Sequence, residues 1–252
     1  MPSGRLDAVD PPPPAGSRAR VLGALADLLV AARPGQRVVV AIDGVDGAGK
    51  TVLGRELATL VTPRREVHRG SVDGFHRVRA ERYARGRTAE TFYRDSYDHD
   101  AIRHQLVEPF RAGEPWVRAV HDVEREAVVQ LPSEPAAGPD AMLLVDGIFL
   151  HRGELADLWD RSVWVDVPFE VSVPRGNARF GAVGPQAADP ASEVNARYVG
   201  GQRLYLAQVA PASRATWLLD NTDLEAPVLT SAGASPGMSR DEELGRVGWT
   251  AP

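Results

Sequence analysis

Gly44-Val45-Asp46-Gly47-Ala48-Gly49-Lys50-Thr51 is the stretch whose reading decides the fold. It matches G-x-x-x-x-G-K-[ST], the phosphate-binding loop pattern (P-loop). Its glycines let the backbone fold tightly, so that successive N–H groups face phosphate oxygens. Immediately upstream, residues 37–42 (RVVVAI) form a short β-branched run, predicted as a buried central strand. Immediately downstream, residues 51–60 carry a helical pattern, and a helix N-terminus adds positive dipole to the cradle. Strand, glycine turn and helix are the context the pattern requires. Gly44, Val45, Asp46, Gly47, Ala48 and Gly49 are expected to cradle the phosphates of a nucleotide. Lys50 is expected to reach the β- and γ-phosphates, and the Thr51 hydroxyl to ligate a metal ion.

The composition narrows what surrounds this loop. The chain has 252 residues, of which 43% are hydrophobic, enough for one α/β domain with appendages. Twenty-nine basic against 34 acidic residues give a net charge of −5. Such a chain has no general electrostatic pull toward nucleic acid or an anionic membrane. With no cysteine, disulfides, thiolate zinc sites and a cysteine nucleophile are excluded. No apolar run approaches the roughly 18 residues of a membrane helix. The first 14 residues contain no apolar core of a signal peptide, so a cytoplasmic location is expected. Lys50 is the only lysine. Where arginine serves every other cationic position, a compact ammonium on a flexible stem marks a special site.

Outward from the loop, strands alternate with helices, which predicts a parallel sheet covered on both faces. Residues 1–16, with Pro11 to Pro14 consecutive, are expected to form a disordered arm. A helix is expected from 17, ended by Pro34-Gly35. Further strands are predicted over 67–72, 141–145, 162–167 and 216–219. Further helices are predicted over 99–110 (capped by Asp98), 155–159, 169–179 and 193–209, with Gly200-Gly201 as a turn or irregularity. The 74–98 segment is too long and too rich in arginine and aromatics for a mere connection. The domain is expected to span 17–223, and 224–252 to be a loosely ordered tail.

Three further positions carry chemistry. Asp73 closes the second strand in Val72-Asp73-Gly74-Phe75-His76, where a carboxylate can accept the proton of an attacking hydroxyl. Asp146 ends Met142-Leu143-Leu144-Val145, a strand-end acid suited to holding Mg²⁺. Arg175 and Arg179 lie four apart on a helix leading into the Gly/Pro-rich 181–190 stretch. They are expected to act as lid arginines stabilising transition-state charge. Arg203 is a further candidate on the following helix. None of the six histidines has metal-ligand spacing.

The ordered set of Gly-x-Asp-Gly-x-Gly-Lys-Thr, Asp73-Gly74-Phe75-His76, Tyr97-Asp98-His99 and Val145-Asp146-Gly147-Ile148 resembles the uridine kinase family of P-loop kinases. That family stands close to phosphoribulokinase and bacterial pantothenate kinase, and an actinobacterial-type branch is the nearest likeness. The resemblance covers roughly residues 36–223. It implies an α/β P-loop NTPase fold with a five-stranded parallel sheet flanked by helices and a lid segment. It also implies γ-phosphoryl transfer from ATP-Mg²⁺ to a primary hydroxyl of a nucleoside or related metabolite. By position, Asp73 matches the family's base and Asp98 the acid that grips ribose hydroxyls. Asp146 stands where the family has glutamate, one methylene shorter, so a bridging water to the metal is expected. Phe75, His76, Tyr93, His121 and Arg125 fall among substrate positions. The family's Tyr-Asp-Phe and His-Ser-Arg pocket is replaced here by His121-Asp122-Val123-Glu124-Arg125, so a uridine- or cytidine-like acceptor is expected from the phosphoryl-transfer motifs and not from the base pocket. Related kinases form dimers or tetramers, which admits a homo-oligomer. Two other readings stand beside this one. One is a thymidylate-like nucleoside monophosphate kinase; the other is a non-catalytic nucleotide-binding regulator or slow NTPase in which Asp73 is idle.

Overall fold

The computed structural model describes residues 18–122 and 125–231. The proline-rich arm, the chain from 232 onward, Val123 and Glu124 lie outside the described residues. The central sheet has six strands: β1 (Val38–Gly44), β2 (Val67–Ser71), β3 (Met142–Gly147), β4 (Arg161–Asp166), β5 (Trp217–Asp220) and β6 (Val228–Ser231). Their order is β2-β3-β1-β4-β5-β6. All neighbours are parallel except β5 and β6. The fold is therefore the expected α/β sheet, with one correction: an antiparallel sixth strand borders it. That strand falls in 224–252, where the sequence pattern predicts only a tail.

Every residue of β1 and of β3 is buried, the pattern of strands covered on both faces. Helix α1 (Arg18–Val30) contributes Leu22, Leu25 and Leu29 to the core, and α2 (Lys50–Val61) contributes Leu53 and Leu57. The chain leaves β1 toward β2 on one side and later supplies β4 on the other. The crevice at such a switch point opens beyond the carboxyl end of β1, where the Gly44–Thr51 octet begins.

The 74–98 segment is ordered. It contains a short helix, Arg79–Tyr83, and α3 (Ala89–Asp95), whose N-terminus is closed by a reciprocal Thr88–Thr91 capping box. The next helix starts at Asp98 as expected, but Ile102–Val107 is π-helical. Pro109 explains this: it has no N–H to return to the Gln105 carbonyl, and the Val117 N–H fills that acceptor at 2.8 Å. Helix α4 spans Phe169–Arg179. Helix α5 spans Ala196–Val209 and contains Gly200 and Gly201 without interruption, so no turn occurs there. A Cβ at Gly200 would sit 2.8 Å from the Ala89 Cβ, and one at Gly201 2.6 Å from Phe92. The glycine pair is the seat on which α3 packs.

Candidate active site

The phosphate loop is fixed from three directions. Gly47 has φ +74°, and a Cβ there would lie 1.9 Å from the Ser172 carbonyl of α4, so only glycine fits. The Asp46 N–H donates to Gln202 Oε1 of α5 at 2.6 Å, and Gln202 Nε2 reaches Asp46 Oδ2 at 3.4 Å. Asn221, just past β5, donates from Nδ2 to the Ala48 carbonyl at 2.7 Å, while its Oδ1 accepts from Arg18 at 2.9 Å. Lys50 is buried, and its Nζ donates to the Val45 carbonyl of the same loop at 2.8 Å. The enclosing walls raise the Asp46 carboxyl above the usual range, against the lowering pull of Lys50.

Thr51 Oγ1 donates to Asp146 Oδ2 at 2.8 Å, joining the start of α2 to β3. Asp146 is buried, and its other oxygen lies 3.3 Å from Arg69 Nη2. A hydroxyl and a carboxylate side by side at a phosphate loop form a hard-oxygen donor set that suits Mg²⁺. Among the described residues there is no cluster of three or more acidic, histidine or cysteine groups that could hold a metal ion.

Asp73 stands in a 3₁₀ turn, Val72–Phe75, at the end of β2, exposed to the same cleft. Tyr97 Oη donates to Asp73 Oδ1 at 3.4 Å. Burial, then the charges of Asp73 and Asp46, push the Tyr97 phenol well above its ordinary range, so it stays a donor. His76 Nδ1 donates to the Asp73 carbonyl at 2.9 Å, and burial lowers its pKa.

The cleft joining these groups has a volume of about 1000 Å³. Its lining includes Arg18 bonded to Asn221 and Leu224, and Arg197 beside Tyr83 and Tyr198. Lys50, Thr51, Asp146, Asp73, His76, Arg175 and Arg179 all line it. Arg175 is held by the carbonyls of Asn221 (3.0 Å) and Thr222 (2.6 Å), so it ties α4 to the segment after β5. Arg179 makes no hydrogen bond or ion pair with any described residue, and its guanidinium lies 5.5 Å from the Phe180 ring. The 181–190 stretch is ordered: Asn177 and Asn195 bond the carbonyls of Ala187 and Asp189 and hold the short helix Pro185–Ala188.

Six expected substrate residues lie outside the cleft lining. Phe75 is fully buried in the core, and Tyr93 packs against Phe149 and Arg152. Asp98 spends a carboxylate oxygen capping the Ala101 N–H at 3.0 Å. His121 is buried with neither ring nitrogen bonded. Arg125 is exposed and pairs with Asp122 at 3.6 Å. Arg203 faces outward over Phe169. Conversely, Arg18, Arg69, Glu126, Arg197, Gln202 and Asn221 reach the site without any local sequence signature, and Tyr97, which the sequence marks only as part of the Tyr97-Asp98-His99 motif, reaches it through Asp73. Gln202 follows the glycine pair that reads as a breaker, and Asn221 follows a strand end.

A chain of this architecture is found among solved structures. A protein named as a possible uridine kinase from Bacillus stearothermophilus superposes with a TM-score of 0.64 at 23% identity, over 79% of this chain and 97% of that one. A fructose transport system kinase from Silicibacter sp. TM1040, itself provisionally named, gives 0.59 at 20% identity, over 74% and 94%. The YGR205w protein gives 0.53 at 12% identity, over 84% and 96%. At these identities the likeness establishes the fold. No family model and no curated protein matches the sequence.

Proposed function

We propose that this protein is an ATP- and Mg²⁺-dependent small-molecule kinase that transfers the γ-phosphoryl group to a hydroxyl of a nucleoside or related metabolite. The observation that carries this reading is the meeting in one cleft of Asp73, Lys50 and the Thr51–Asp146 pair. The kinase names given to two of the similar structures agree with it.

Each group has a defined task. The loop N–H groups and Lys50 hold the β- and γ-phosphates, Lys50 exchanging its Val45 carbonyl for phosphate oxygens. Thr51 and Asp146 would hold Mg²⁺, which supplies positive charge against the phosphate oxygens. Asp73 accepts a hydrogen bond from the acceptor hydroxyl and takes its proton as the oxygen bonds to γ-phosphorus and the bond to the β-phosphate oxygen breaks. Tyr97 orients the Asp73 carboxylate. Arg179 supplies charge to the equatorial oxygens in the transition state. The cytoplasm is the compartment that fits an ATP-consuming chain whose described residues include no helix long and apolar enough to cross a membrane.

The test is ADP formation with Mg²⁺ across a panel of nucleosides, sugars and hydroxy acids. Acceptor-dependent ADP production supports the reading. Hydrolysis indifferent to every acceptor contradicts it.

A further inference from the structure

Arg197 is the cleft cation that phosphoryl transfer leaves without a task. Lys50 and Arg179 serve the nucleotide phosphates. Arg18 is paired with Glu56, Arg82 with Glu126, and Arg175 is held by two carbonyls. Arg197 makes no hydrogen bond or ion pair with any described residue, and its Nε is buried with no acceptor. Its guanidinium carbon lies 5.1 Å from the Tyr83 ring centroid, 5.4 Å from Phe92 and 5.3 Å from Tyr198. Three rings surround the planar group, and Arg197 is one of the residues that line the cleft.

The neighbourhood carries surplus positive charge. The guanidiniums of Arg82 and Arg87 also lie against the Tyr83 ring, at 5.4 and 4.9 Å. Arg79 and Arg82 share one carboxylate, Glu126. Neither Arg87 nor Arg197 has a counter-ion among the described residues. Aromatic faces stabilise a guanidinium only in part, and an unsatisfied buried donor is costly. A bound anion would resolve both. A planar fork of donors matches a carboxylate or a phosphate. Glu126 Oε2, buried and unbonded on the same wall, can accept from a hydroxyl of the same molecule.

We infer that the acceptor is an anionic hydroxylated metabolite, bearing a carboxylate or phosphate that Arg197 binds while its reacting hydroxyl meets Asp73. This deepens the kinase reading and rests on it.

Matched acceptors test it: uridine against orotidine, glucose against gluconate, and fructose against fructose 6-phosphate. In at least one pair the charged member is expected to show a KM roughly 10- to 100-fold below its neutral partner, as loss of a charge-assisted hydrogen bond implies. R197Q should bring that ratio to about one. The carboxylate and phosphate pairs separate the two sources of the anion. ADP affinity of R197Q, measured by calorimetry, verifies that the site is folded, and R197K should restore part of the preference. Neutral partners used as well as charged ones, or R197Q lowering kcat equally for both, would overturn the inference and assign Arg197 to the γ-phosphate. Calorimetry with the same charged compounds keeps the two readings apart. Binding lost in R197Q, with no transfer to any acceptor, would overturn the kinase reading and support the anion site. No binding and no transfer would overturn the anion site.

Discussion

Replacing Gly201 with alanine tests whether the α3–α5 contact positions the phosphate loop. An added Cβ would lie 2.8 Å from the Ala89 carbonyl oxygen and 2.6 Å from Phe92 Cδ1, where ordinary contact begins at 3.4 Å. The helices must separate by about 0.6 to 0.8 Å, because the nearer obstacles are a backbone atom and a packed ring. Because a backbone oxygen and a packed ring must both give way, the overpacking cost lies in the upper part of the usual range, about 2–3 kcal/mol, and alanine returns about 1 kcal/mol in helix propensity. The net loss of about 1–2 kcal/mol corresponds to a Tm lower by roughly 2–8 °C for a chain of this size. Gln202 is the next residue, so its 2.6 Å bond from the Asp46 N–H should lengthen and ADP affinity should fall several-fold. Thermal unfolding followed by circular dichroism, with calorimetric ADP titration, reads both effects. Gly23→Ala is the control: nothing lies within 4 Å of its Cβ in α1, so Tm should stay level or rise. A G201A protein as stable as wild type would refute the packing argument.

Asp146→Asn should raise the Mg²⁺ concentration for half-maximal turnover at least about 10-fold, because it removes the carboxylate charge beside the Thr51 hydroxyl; a Mg²⁺ titration checks this. Gln202→Ala should weaken ADP binding by roughly 2- to 10-fold, the worth of one hydrogen bond to the loop, read by calorimetry. Acid should expose His99, whose pKa is lowered to about 4, first by burial and then by Arg152. Between the ordinary histidine value of about 6.5 and that folded value, the unfolded chain binds the extra proton. Stability is therefore complete above about pH 6.5 and falls by up to a few kcal/mol as pH drops toward 4. His99→Gln should flatten that part of a urea-melt pH profile, and an unchanged profile would refute the assignment.

What could be read in the sequence divides along a physical line. Lys50, Thr51, Asp146 and Asp73 sit at strand ends and a helix start, so local pattern alone locates them. Helix α4 has the predicted bounds because Pro168 before it and the Gly/Pro-rich 181–190 stretch after it are local signals too, and it continues through Pro174. Strand β6 was not legible: four residues include Thr230 and Ser231, and only pairing with β5 makes them a strand. Gly200-Gly201 reads as a helix breaker, yet close approach of α3 outweighs its low propensity. The sequence reading names Arg203, and finding Arg197 instead requires the helix phase. The two lie about 240° apart around α5, and only tertiary packing shows which face meets the cleft. Gln202, Asn221 and Arg69 come from three separate elements and reach the site through the fold alone.

The central claim is that Asp73 takes the proton of an acceptor hydroxyl. Steady-state transfer by wild type and Asp73→Asn, on whichever acceptor the panel identifies, tests it most directly. The account predicts kcat lower by about 10²- to 10⁴-fold in D73N, with ATP affinity by calorimetry unchanged. Transfer at the wild-type rate in a D73N protein that still binds ATP would contradict it.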